Sequence, residues 1–172
     1  MRYINNEGNF APNNIVIDGM RAINPTAEQY EQAGYIPYIE PMPTEEELLK
    51  QAIDSKVDEI KDYDKSSAVN SFKLNGMDAW INREDRIGTR RAIELDKVNG
   101  QTESDIWLNG FLLHVNCDLA LKLLDEVEHY AYHAYNRTQA HIHAVRGLKS
   151  VEEVQKYDYT QGYPEKLDLK TM

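Results

Sequence analysis

Apolar residues fall into short β-like runs at the start of the chain and into helical stripes further on. Tyr3-Ile4 and Ile15-Val16-Ile17 flank a Gly-, Asn- and Pro-rich stretch from Asn5 to Asn14, which predicts a loose hairpin between the two runs. Asn24-Pro25 stops the chain. Thr26 with Gln29 then makes a capping box for a short helix that Gly34 is placed to end. Tyr35 to Pro43 holds three prolines in nine residues and should be extended and poor at sheet pairing. Thr44 with Glu47 forms a second capping box, and the glutamates there suit the positive end of the helix dipole. Leu49, Ala52, Ile53, Val57 and Ile60 give that helix one apolar face, which fades near Asp62.

Two similar segments follow, Phe72-Lys73-Leu74-Asn75-Gly76-Met77 and Ile106-Trp107-Leu108-Asn109-Gly110-Phe111. Asn-Gly supplies the positive φ angles of two-residue hairpin turns, so each reads as a hairpin, the second with a return strand from Phe111 to Val115. Asn82 caps a helix from Arg83 to Val98 that Asn99-Gly100 ends. Asn116 caps the longest element, which runs to about Arg146 with Gly147 behind it. Ser150 and Glu153 cap a last short helix, and Tyr157 to Met172 reads as an irregular surface tail. The sum is an α+β chain, mostly helical. A small antiparallel sheet of Asn-Gly hairpins packs on the long C-terminal helix, and an extended arm precedes it. The expected divisions are a docking arm (1–43), a connecting helix (44–68), a compact α+β domain (69–164) and a tail (165–172).

The long helix has the clearest regularity. Ala120, Leu124, Val127, Ala131, Ala134, Thr138, His141, Val145 and Leu148 recur at alternating spacings of four and three, the period of a coiled-coil seam. Such a stripe either packs on the domain's own elements or lines a subunit interface, as a dimer or trimer would have.

Charge narrows the partners. The net charge is −10, and residues 1–68 carry 13 acidic against 6 basic residues. That disfavours a general nucleic-acid or anionic-membrane surface, which needs clustered Lys and Arg. No apolar run is long enough to span a bilayer, and the first residues hold no stretch suited to a signal peptide. A single cysteine, Cys117, excludes an intramolecular disulfide. Synthesis in a reducing cytoplasm is the expectation.

Candidate chemistry is sparse. Glu126 and His129 form one Glu-x-x-His, with His133 a turn further on, but a di-iron bundle needs two such pairs and Tyr130 breaks the zinc-protease pattern. Arg83, Arg86 and Arg90, with Arg91 beside them, share a face that could grip a phosphate, yet Glu84, Asp85, Glu94 and Asp96 surround it and favour ion pairs. His114 lies near Cys117 in sequence without making it a nucleophile. No catalytic, metal or cofactor residues are assigned. Eleven tyrosines, several on the long helix and in the tail, suit interfaces or ordinary partial burial.

Residues 69–164 resemble an uncharacterised domain family of tail and tail-fibre-associated proteins of tailed phages. The resemblance rests on Phe72-Lys73-Leu74-Asn75-Gly76, Trp80, Arg86, Trp107-Leu108-Asn109-Gly110 and the alanine-rich long helix. It continues through His141-Ile142-His143-Ala144-Val145, Ser150-Val151-Glu152-Glu153-Val154 and Tyr157-Asp158. Tyr3-Ile4-Asn5, Ile23-Asn24-Pro25-Thr26 and Ala33-Gly34-Tyr35 are similar to the openings of small phage and prophage proteins of gut Bacteroidales. The Pro-Thr-Glu-Glu-Glu-Leu passage is similar to tail-fibre assembly proteins.

The resemblance implies a virion or assembly role. Together with the stripe of coiled-coil period and the Pro-interrupted arm, the expectation is a structural virion protein, homo-oligomeric and docked on other virion proteins through its N-terminal arm. It implies no enzyme. The alternatives are an assembly chaperone that leaves the particle, a metal-dependent enzyme using Glu126, His129 and His133, and a receptor- or glycan-binding module resting on the tyrosines.

Overall fold

The computed structural model describes residues 1–171, and the chain divides into two compact units, Met1–Thr44 and Glu45–Met172. The first unit contains β1 (Tyr3–Ile4), β2 (Asn14–Ile17), β3 (Met20–Ile23), α1 (Ala27–Gln32) and β4 (Ile36–Pro37). Its pairing differs from the expected hairpin. β2 turns back on β3, while β1 pairs antiparallel with β4. The reason is Asp18-Gly19, both at positive φ, which closes a two-residue turn directly after Ile17. The start of the Pro-rich segment is therefore paired after all, at Ile36 and Pro37. Rings do much of the packing: Tyr3 stacks on Tyr30 at 4.5 Å, Tyr35 meets Tyr30 edge-on, and Phe10 meets Tyr38 edge-on. The Thr26–Gln29 capping box is present, and the N–H of Tyr35, following Gly34 at positive φ, donates to the Tyr30 carbonyl.

The second unit contains α2 (Glu45–Lys65), β5 (Phe72–Leu74), β6 (Met77–Ala79), α3 (Arg83–Val98), β7 (Glu103–Leu108), β8 (Phe111–Asn116), α4 (Cys117–Arg146), α5 (Val151–Lys156) and β9 (Asp168–Leu169). The expected α+β class is what the chain adopts: 46% of residues are helical against 19% in strands, so helices carry most of the packing. Both Asn-Gly turns are hairpins with Asn and Gly at positive φ. They do not form one sheet. β6-β5-β9 is a three-stranded sheet whose β9 runs parallel to β5, and β7–β8 stands as a separate two-stranded ribbon.

α4, about 45 Å long at 1.5 Å per residue, is the spine. Its first turns pack with Ile93 and Val115, its middle with Phe72, Leu74, Ala79 and Leu169, and its last turns with Val57, Ile60 and Val154. Two expected divisions change as a result. α2 is not merely a connector, because Val57 and Ile60 are buried against α4 and α5. Burying such side chains contributes about 1.5–3 kcal/mol each. Nor is the end a surface tail, because β9 completes the sheet and Leu169 is buried in the core.

Candidate functional site

The stripe along α4 faces the chain's own elements. Ala120, Leu124, Val127, Ala134, Thr138, His141 and Val145 are buried, and Ala131 and Leu148 are half-buried. As an interface between copies the seam has little free surface, since α2, both hairpins and residues 157–169 already cover most of it. The spacing was satisfied from within because α2 carries a matching stripe.

The polar members of the seam anchor the C-terminal segment. Thr138 donates its hydroxyl to Asp64 Oδ1 at 2.6 Å and accepts from the Tyr163 hydroxyl at 2.9 Å. His141 Nε2 donates to the Gln161 carbonyl at 2.9 Å, which leaves Nδ1 to accept from the Tyr157 hydroxyl at 2.8 Å. Arg137 Nε donates to the same Gln161 carbonyl. Tyr63 meets Tyr159 and Tyr163 edge-on, and Tyr163 stacks on His141. Burial lowers the His141 pKa below its ordinary 6.5, despite the hydrogen bond to Gln161, and raises those of Tyr130 and Tyr163. The tail tyrosines are thus structural anchors. Asp64, Tyr63 and Gln161 complete this network without any local sequence signal to mark them.

The other candidate groups are accounted for by local partners. His129 and His133 meet each other at 3.0 Å on the exposed side of α4, and among the described residues no three His, Cys, Asp or Glu converge to hold a metal ion. Arg86 is buried, with Nε on Glu128 at 2.6 Å, Nη1 on the Ile81 carbonyl and its guanidinium 5.6 Å from the Trp80 ring centroid. Arg90 pairs with Asp125, and Arg91 with Glu94. Cys117 is buried beside Ser104, whereas His114 pairs with Asp105.

What remains open is surface. In the first unit β2–β3 exposes Val16 (66%), Met20 (74%) and Ile23 (74%), and Ile36, Ile39 and Met42 follow in the Pro-rich segment. The β2–β3 hairpin is two-stranded, so among the described residues its outer edges present backbone N–H and C=O groups without sheet partners, whereas the second edge of β1 is taken by Phe10 and Ala11. A strand from another chain can add to such an edge while its apolar side chains cover the exposed ones. The Asp18-Gly19 turn was the sequence signal for this surface. In the second unit, Tyr132 and Tyr135 stand exposed on the outer side of α4.

No protein-family model, curated protein or solved structure matches the chain.

Proposed function

We propose that this chain is a non-catalytic structural protein of a tailed-phage particle, tail- or fibre-associated, that docks on other virion proteins through its N-terminal unit. The observation that carries the reading is the concentration of exposed apolar side chains on Val16, Met20, Ile23, Ile36, Ile39 and Met42, beside the open edges of the β2–β3 hairpin. The resemblance of residues 69–164 to tail-associated domains supplies the setting. Synthesis in the host bacterial cytoplasm and residence in the virion follow from that setting. Self-association as a dimer or trimer remains part of the reading, but its contact must be a surface other than the α4 seam. The exposed Tyr132 and Tyr135 are the tyrosine-rich alternative on the same helix.

Mass spectrometry of purified particles tests the proposal. Stoichiometric presence is expected, together with loss of the protein from particles carrying Val16→Asp and Ile23→Asp. Absence from finished particles, with the chain found on free fibre subunits, would replace this reading with that of an assembly chaperone. Light scattering across concentrations reads the oligomeric state, and Tyr132→Ser with Tyr135→Ser should lower it.

A further inference from the structure

An open groove of about 540 Å³ lies between the first half of α3 and the tip of the β7–β8 hairpin. Both tryptophans of the chain, Trp80 and Trp107, line it, together with Glu84, Asp85, Gly88 and Asn109. Trp107 faces outward by strand alternation: Ser104 is buried and Ile106 and Leu108 are half-buried on the other face, and Trp107 stays 70% exposed. The Asn109 side chain donates to the Asp78 carbonyl and ties this hairpin tip to the first hairpin. Asp85 accepts from the Asn82 side chain.

Gly88 is the least expected residue here. It sits inside the sixteen-residue α3, where glycine is the poorest helix former after proline, and nothing lies within 4 Å of where a Cβ would be. Any side chain but proline's would favour the helix and would take up space in the groove. The favourable placement of acids in the first turn of a helix explains Glu84 and Asp85 alone. It explains neither the bare indole nor the glycine.

The chain already builds one complete arrangement of indole, guanidinium and carboxylate, at Trp80, Arg86 and Glu128. The groove presents a second indole and two carboxylates with no guanidinium among them. We propose that it binds an arginine side chain carried by an extended segment of a partner protein. The planar guanidinium can stack on Trp107 while its N–H groups donate to Glu84 or Asp85. A chain with net charge −10 offers the matching long-range attraction. This inference concerns the second unit and stands apart from docking through the first.

The test titrates ¹⁵N-labelled full-length protein with the peptide acetyl-Ser-Arg-Ser-Arg-Ser-amide and follows the Trp107 indole N–H and the Gly88 amide. Saturable shifts at both are expected. Binding should weaken at least tenfold when citrulline replaces arginine, and at least fivefold in Glu84→Gln/Asp85→Gln. Gly88→Leu should abolish it without lowering the thermal midpoint. Trp107→Ala, at an exposed position, gives the same reading should the leucine variant fold poorly. Unchanged binding by Trp107→Ala, equal binding of the citrulline peptide, or shifts centred on Glu45 and Glu46 would each overturn the proposal. So would movement of Trp107 by cellohexaose with none by the peptide, which would make the groove a glycan site.

Discussion

The two units hold themselves together in different ways. In residues 45–171 almost every apolar stripe has an answering stripe: α2 against α4 and α5, the sheet against the middle of α4, α3 and β8 against its start. Eighteen hydrophobic residues are buried there, whereas Met1–Thr44 buries only Tyr3 and Ile15 and relies on stacked rings and short strand pairs. A segment of this size without disulfides supplies a few kcal/mol at best. Exposed apolar side chains on a marginal scaffold are what a region needs if it gains order from a partner. The second unit buries its apolar faces within itself, so its exposed features need not serve its core.

The largest expected effect tests whether the units are independent. Ile60 is fully buried between α2, α4 and α5, so Ile60→Ala should cost about 3–4 kcal/mol by cavity formation and lost contacts. Urea unfolding followed by hydrogen exchange should show that loss in amides of α2 and α4, with Ile15 and Arg21 exchanging as before. Equal acceleration in both units would show that they unfold together, and the comparison would fail.

A smaller effect concerns what fixes the C-terminal segment. Thr138→Val keeps the shape but removes the donor to Asp64 and the acceptor for Tyr163. Leaving a half-buried carboxylate unpaired should cost about 2 kcal/mol. Faster exchange in β9 should accompany the lowered urea midpoint, and Thr138→Ser should recover most of it. Smaller again is Gly19→Ala in the first unit. The turn holds Gly19 at φ 79°, which a side chain resists by about 1 kcal/mol. In so marginal a unit that should be enough to speed exchange across β2–β3 while leaving β7–β8 untouched.

The features legible in the sequence were the local ones. Caps at Thr26, Asn82, Asn116 and Ser150 and turns at Asn75-Gly76 and Asn109-Gly110 stand where their chemistry placed them, because each bond spans only a few residues. Partners far along the chain were not legible. The spacing of Ala120 to Leu148 announces a buried face without saying what buries it, and the answer lay in Val57, Ile60 and the tail. β9 is two residues long and pairs with β5 across more than ninety positions, so no pattern in Asp168-Leu169 foretold it. Trp107 is intermediate: alternation along β7 points it outward, but only the folded chain brings it to line one groove with Gly88 and Glu84.

The smallest effect is a pH dependence that belongs to the second unit alone. His141 is enclosed by the Tyr157 hydroxyl, the Gln161 carbonyl, the Tyr163 ring, Thr138 and the Arg137 side chain, with Asp158 the carboxylate that acts on it. Burial is the chief cause of its lowered pKa, Arg137 adds to it, and the Gln161 hydrogen bond and Asp158 oppose. The folded state therefore binds this proton less readily than the unfolded chain. Its contribution is fully present above 6.5, the ordinary pKa, and falls away as the pH drops from there toward the folded value. One proton sets the limit, a slope of at most about 1.4 kcal/mol per pH unit. Glu153 is held below its usual range by hydrogen bonds from Lys149 and Ser150, and Asp158 by those from Thr160, so their loss comes at more acidic pH than that of the histidine. Urea midpoints between pH 5 and 8 should fall more steeply on the acid side for the native chain than for His141→Gln, which keeps a donor for the Gln161 carbonyl. Parallel curves for the two would mean that the charged imidazole, donating from both nitrogens to Tyr157 and Gln161, is held in the tail's grip as readily as the neutral one.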